Sequence, residues 1–159
     1  MDIWNSRIHY ILGTEALENV LKRNFTTTSI NEKWVEDITY IHTIKHGCCY
    51  LASVLDLHSK KIIGYVFSKR ITNNLVIKAL KNSYYNQNPA ENKQIIFHTD
   101  LGSQYTSNAL KEICKEFIII QWFNKKGCAY DKACIESFHS SIKKEKIYRD
   151  TYLTFEEAN

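Results

Sequence analysis

The chain has 159 residues, 44% hydrophobic and 24% charged, with a formal net charge of +4, which suits one soluble domain with a proper core and excludes a disordered or fibrous polypeptide. No run approaches the roughly 20 apolar residues of a membrane span, and the opening MDIWNSRIHYILG mixes Asp2, Asn5, Arg7 and His9 into its apolar residues, which makes a poor signal peptide. Five cysteines without an export signal point to reduced thiols in a cytoplasm.

Residues 1–33 are polar and weakly patterned, a lead-in in which 14–23 can form a short helix and NFTTTSINEK reads as extended. From Trp34 the texture changes. WVEDITYIHTIK is rich in β-branched and aromatic residues and predicts a strand. CCYLASVLDL predicts a second, HSKK a turn and IIGYVFSKR a third, and such short connections make an antiparallel meander. Leu75, Val76, Ala79 and Leu80 then recur at helical spacing behind Asn73 and Asn74, two good caps. NSYYNQNPAENK predicts a loop around the only proline, and QIIFHT a fourth strand. Thr106 or Ser107 can cap a helix that runs through Phe117. FIIIQW predicts a short buried strand, and residues 131 to about 148 a final long helix. The order β-β-β-α-β-α-β-α describes an α/β domain, a mixed sheet with helices on its faces.

Three acids stand out. Asp37 lies within the first strand, and a period of two puts it on one face with Val35, Thr39 and Ile41. A carboxylate on a mostly apolar face is costly unless it is paired, hydrogen-bonded or bound to a cation. Asp100 ends the fourth strand, and ligands of open α/β sheets gather beyond strand carboxyl ends. Gly102 then allows a tight turn and close backbone approach. Glu136 lies on the last helix, one step off an inward stripe of Ile135, Phe138 and Ile142. Lys132, His139 and Lys143 share its side, and Lys143 is seven residues on, about 10.5 Å along the axis. Two acids on strands and one on a helix suit a divalent cation, since Mg²⁺ takes few carboxylates and shares itself with substrate phosphates. Each acid also has a plainer reading: Asp100 as a turn residue, Glu136 as half of a helical charge pattern. Asp56 is a rival strand-end acid, and DLHSKK explains it as a hairpin turn. On the residues alone both readings stay open.

The motifs WVEDITYI, YLASVLDLHSKKIIGY, HTDLGSQYTS and KKGCAYDKACIESFHSSIKKE carry a resemblance, with thirty-five residues between Asp100 and Glu136 and a lysine seven past the glutamate. From about Asn24 onward the chain resembles the catalytic cores of DDE-type transposases and retroviral-type integrases, above all insertion-sequence transposases of the IS-three kind. The resemblance implies an RNase H-like fold, with a mixed five-stranded sheet of three antiparallel and then two parallel strands and helices on both faces. It implies a core over 34–159 behind the 1–33 lead-in. Asp37, Asp100 and Glu136 become the catalytic acids and the ligands of two Mg²⁺ or Mn²⁺ ions, in an enzyme that cleaves DNA and transfers strands during transposition. Lys143 is implied as a phosphate contact, and Ser103, Gln104, Tyr130 and Lys132 as DNA-binding neighbours. The implied partners are DNA at the element's ends and at the target and further copies of the chain on that DNA, with no membrane, in a bacterial cytoplasm. Relatives carry an N-terminal helix-turn-helix region and a longer C-terminal part, so an excised or truncated core is expected.

The charge suits a polyanionic partner, with a solvated lysine-rich face the plainer reading of +4 taken alone. From Lys111 to Arg149 there are nine basic and five acidic residues, against twelve of each elsewhere, so the positive excess sits in one stretch. Lysine outnumbers arginine seventeen to four, which favours phosphate contacts over base reading. Leu101, Trp122, Phe123 and Lys132 stand where relatives often carry other residues. His42, His46, Cys48 and Cys49, like Cys128, Cys134 and His139, are spaced poorly for zinc and read as packing or surface residues. His98 shares Asp100's strand face and reads as a structural histidine, with a role behind the acid as the alternative. Trp122, Phe123 and Tyr130 could stack on bases, with core packing the default for Trp122. Residues 127–131 predict a mobile loop without DNA. Two rival functions remain: an RNase H-like nuclease on RNA–DNA hybrids, and a non-catalytic DNA-binding remnant of a transposase.

Overall fold

A run of β-branched and aromatic residues makes Lys33–Thr43 the longest strand, β1, and the rest of the sheet is built outward from it. In the computed structural model, which describes residues 26–123, 133–144 and 151–158, β2 (Gly47–Asp56) and β3 (Ile62–Ser68) follow β1 as an antiparallel meander. Gly47, at φ 67°, supplies the left-handed backbone that closes the first turn. β4 (Ile95–Thr99) joins the free side of β1 in parallel, and β5 (Ile119–Phe123) joins β4 in parallel. The strand order is β3-β2-β1-β4-β5, the mixed five-stranded sheet expected from the sequence.

Helices cover both faces. α1 (Asn73–Gln87) and α2 (Asn108–Glu116) bury Leu75, Val76, Leu80 and Leu110 on the face that carries Trp34, Val54, Ile95 and Phe97. α3 (Ala133–Ile142) sets Ile135 on the opposite face with Val35, Leu55 and Leu57. Each such fully buried aliphatic side chain contributes about 1.5–3 kcal/mol relative to exposure. A short last helix, α4 (Phe155–Ala158), stacks Phe155 on Phe67 of β3 with ring centroids 4.7 Å apart. Among the described residues no helix is long and apolar enough to cross a membrane.

Two local expectations are corrected. Asn73 and Asn74 do not cap α1. They are its first residues, and Thr72 holds the cap position without a side-chain hydrogen bond. The segment read as a loop from Asn82 is helical as far as Gln87. Poor helix formers stay helical there because tertiary contacts hold them. The Asn82 and Asn86 amides donate to the Tyr65 and Ile63 carbonyls of β3, and Tyr84 stacks on Phe117 with centroids 4.0 Å apart. The helix ends where Asn88 turns left-handed at φ 42°, just before Pro89. Ser107 is the cap of α2, its hydroxyl accepting from the Leu110 amide at 3.3 Å. The expected 14–23 helix lies outside the described residues.

Candidate active site

Asp37 and Asp100 meet because β1 and β4 run in parallel. The ladder aligns Val35 with His98, and the same register two residues on sets Asp37 beside Asp100, on strands about 4.8 Å apart. β4 stops at Thr99 while β1 continues to Thr43, so the two acids stand at a notch beyond the carboxyl end of the shorter strand. A pocket of about 210 Å³ opens there, lined by both acids together with Tyr40, Tyr50, Ile71 and Gln104. Directly after Asp100 the chain forms a 3₁₀ turn, Ser103–Tyr105, that the sequence reading did not anticipate. Gly102, at φ −68°, is not in the left-handed region. A Cβ there would meet only the end of the Gln104 side chain, 2.5 Å from its nitrogen, which can swing aside.

The turn also buries Tyr105 beneath the acids. Its hydroxyl is held protonated well above the usual phenol range, by burial first, then by the neighbouring Glu36 carboxylate, and then by the charges of Asp37 and Asp100. Both acids therefore act on one buried point. Glu36 itself is wholly buried on the core face of β1, a placement that period two assigns it once Asp37 faces the other way.

The third acid arrives on α3, which runs alongside β1 in the same direction. Ile135 shares a cluster with Val35. One turn later the His139 Nδ1 lies 3.3 Å from the Asp37 Oδ2. One turn further the Lys143 ammonium sits 4.1 Å from the centroid of the Tyr40 ring. Residues four apart share a helix face, so this single stripe sits along β1. The expected inward stripe is corrected in one place: His139 is buried, whereas Phe138 and Ile142 are half-buried. Glu136 is exposed and is not part of the Asp37–Asp100 pocket wall. Among the described residues, no group of three or more His, Cys, Asp or Glu side chains is placed to hold a metal ion.

Gln104 lines the pocket, and Ser103 is exposed on the turn beside it. Tyr130, Lys132, Cys128 and the 127–131 loop lie outside the described residues. Asp56 is the turn acid it resembled, its carboxylate accepting from the Asn31, His58 and Ser59 amides at 2.8, 3.1 and 2.7 Å. His98 is buried in register with Val35 and Trp122. Trp122 is half-buried, and Phe123 packs against the main core. His42 and Cys48 face each other across the hairpin at its exposed end, and the His46 Nδ1 is taken by the Phe155 amide at 3.1 Å.

The donor set has the right chemistry for a hard divalent cation. Asp37 and Asp100 present carboxylate oxygens to one pocket, and Mg²⁺ completes a shell of that kind with water and phosphate oxygens. The pocket itself provides two of the three expected carboxylates.

Comparison with known proteins agrees with this architecture. The integrase core domain family matches residues 27–128. The chain is 38% identical over 144 residues to the transposase InsF for insertion sequence IS3A of Escherichia coli K12, covering 91% of this chain and 49% of that protein. It is 35% identical over 143 residues to the putative transposase InsK for IS150 of the same organism, covering 90% and 50%. The chain thus spans about half the length of the curated relatives it matches. Among solved structures, the HTLV-2 integrase catalytic core domain in complex with magnesium superposes with a TM-score of 0.59 at 19% identity, covering 75% of this chain and 72% of that one. The Mos1 transposase catalytic domain, solved with raltegravir and Mg, gives 0.63 at 13% identity over 94% and 73%. These two likenesses show the shared RNase H-like fold.

Proposed function

The chain belongs to the integrase core domain family and is a relative of IS3-type transposases, and on that footing we propose that it is the catalytic core of a transposase that cuts and joins DNA strands. The observation that supports this reading is the meeting of Asp37 and Asp100 at one pocket beyond the end of β4. In the proposed reaction a phosphodiester at the element's end is hydrolysed to free a 3′-hydroxyl. That hydroxyl then attacks the phosphorus of a second phosphodiester in line; the bond from that phosphorus to the target strand's 3′-oxygen breaks, the target end leaves as a 3′-hydroxyl, and no covalent bond to the protein forms.

Asp37, Asp100 and Glu136 are the proposed ligands of two Mg²⁺ or Mn²⁺ ions. Such ions, when bound, supply the positive charge that favours the attacking oxygen as a nucleophile and offsets charge on the leaving one. The rest is positioning and electrostatics from the chain's own side chains. Lys143 presents an ammonium at the rim, where it can hold a phosphate next to the reacting one. Gln104 offers an amide in the pocket wall, and Ser103 a hydroxyl beside it. Tyr130 and Lys132 complete the proposed DNA contacts from sequence. In this reading residues 34–159 form the core behind the 1–33 lead-in, and the protein works as a homo-oligomer on DNA in a bacterial cytoplasm.

The test is calorimetric titration of Mn²⁺ and Mg²⁺ into this chain and into Asp100→Asn, followed by strand-transfer assays on duplex oligonucleotides. The reading expects binding that Asp100→Asn abolishes, and joined products that need the metal. Equal weak binding by both proteins, with DNA retained but never cut, would replace it with the non-catalytic DNA-binding reading.

A further inference from the structure

We propose that His139 is a positioning residue. Through its Nδ1–H it orients the Asp37 carboxylate, and it fastens the helix that carries Glu136 to the strand that carries Asp37. The inference rests on the metal-site reading above for its consequence, and on three observations of its own.

His139 is only 5% exposed and sits on the inward stripe of α3. Its Nδ1 is 3.3 Å from the Asp37 Oδ2. Its Nε2 is buried and has no hydrogen-bond partner among the described residues. An ionised carboxylate only accepts hydrogen bonds, so the ring nitrogen facing Asp37 must carry a proton. The other nitrogen costs least to bury as a bare lone pair, because a buried N–H left unmet forfeits a full donor. The neutral tautomer with its proton on Nδ1 satisfies both conditions.

That contact lies between the two elements whose alignment the site needs. Ile135, one turn before His139, is packed on Val35, and Glu136 follows Ile135 directly. With Ile135 as one anchor and His139 as the other, α3 is fixed at two points along β1, and Glu136 lies between them. The carboxylate is held on one side too: its Oδ2 faces His139, and Asp37 also lines the pocket shared with Asp100. Outer hydrogen bonds of this kind set the orientation of metal-binding carboxylates, and their loss typically lowers metal affinity by about 10–100-fold.

Two measurements test it. In the metal-free protein, long-range ¹H–¹⁵N correlation spectra should show the His139 ring protonated at Nδ1, and a ring protonated only at Nε2 would overturn the inference without reference to any metal. In Mn²⁺ calorimetry, His139→Leu should weaken binding by about tenfold or more, while His139→Asn, whose amide nitrogen can stand near Nδ1, should recover most of it. His139→Gln, which extends its donor past that position, should not recover it. The Asn–Gln comparison decides the matter even where the leucine variant fails to fold. Equal Mn²⁺ affinity in the unaltered, Asn and Gln proteins would leave His139 a packing residue and sink the proposal. Absence of Mn²⁺ binding by the unaltered chain would instead defeat the proposed function, and the tautomer would then decide this inference alone.

Discussion

The Lys143 ammonium rests over the face of Tyr40, 4.1 Å from its ring centroid. Tyr40 is 56% exposed and lines the pocket that holds Asp37 and Asp100. A lysine seven residues past Glu136 is thus held at the pocket's rim by an aromatic on the facing strand. The attraction is worth about 0.5–1 kcal/mol at an exposed site, enough to bias a flexible side chain but weak enough for a phosphate to draw it away.

This relationship separates two variants. Lys143→Ala should weaken duplex binding and lower the slope of log affinity against log salt by roughly one, because one phosphate contact is lost. Tyr40→Leu should leave that slope nearly unchanged and reduce affinity only a few-fold, since the charge remains and only its placement suffers. Filter binding across a salt series reads both. A Tyr40→Leu slope that falls as far as that of Lys143→Ala would mean the tyrosine itself engages the backbone.

Asp56 and Asp100 both end strands, and mutation should tell them apart. Asp56 is fully buried and accepts three backbone amides. Hydrogen bonds to a charged group are worth about 1.5–3 kcal/mol each, though not additively. Asp56→Ala should therefore destabilise the fold by about 3–4 kcal/mol in urea titration and leave the Mn²⁺ affinity of the folded fraction intact. Asp100→Asn should do the reverse, costing under about 1 kcal/mol of stability, as exposed positions usually do, while abolishing Mn²⁺ binding.

Sequence made the sheet legible because its signals were local: dense β-branched runs, short turns, and alternation that put Asp37 as the one acid on a face with Val35, Thr39 and Ile41. It made Asp100 legible because the strand visibly ends there. What it hid depended on partners far along the chain. Asn82 and Asn86 read as loop residues until β3 carbonyls receive their amides. His139 read as one of several polar residues near Glu136, although its spacing of four from Ile135 was a signal that it could face inward. The 3₁₀ turn at Ser103–Tyr105 was hidden by a run of small polar residues with no period. The lysine-rich C-terminal surplus suited a polyanion, but composition did not set Lys143, seated over Tyr40, apart from the other lysines.

Glu32 gives a pH prediction. Its carboxylate accepts from the Thr28 hydroxyl and amide and from the Ser29 hydroxyl, and these bonds, those from Thr28 first, hold its pKa down to about 2 from 4.5. A depressed folded-state value means the unfolded chain binds the proton more readily. The contribution is thus complete above about pH 4.5 and is lost as pH falls toward 2. Urea midpoints measured down this range should drop less steeply for Glu32→Gln than for the unaltered chain, and parallel curves would show that the loop from Thr28 to Glu32 does not couple to folding.

Gly64 tests how tightly α1 is seated on the sheet. It lies in β3 against Ser83 of α1, where a Cβ would come within 2.6 Å of the Ser83 amide nitrogen and 2.8 Å of its Cα. Those atoms are helix backbone and cannot rotate aside. The Ser83 hydroxyl is itself bonded to the Ala79 carbonyl at 2.8 Å, and the Asn82 and Asn86 amides tie the same turns to β3. Gly64→Ala must therefore push the helix off the strand as a unit. Overpacking of this kind costs about 1–3 kcal/mol, and backbone on both sides puts this site at the upper end, a fall in Tm of roughly 6–12 °C for a chain of this size. Asp37 lies on β1, Asp100 beyond β4 and Glu136 on α3, all outside this contact, so the folded variant should bind Mn²⁺ as the unaltered chain does. A Tm within 2 °C of the original, roughly what 1 kcal/mol or less would produce, would mean that α1 moves easily over the sheet, and that the hydrogen bonds from Asn82 and Asn86 do not fix it.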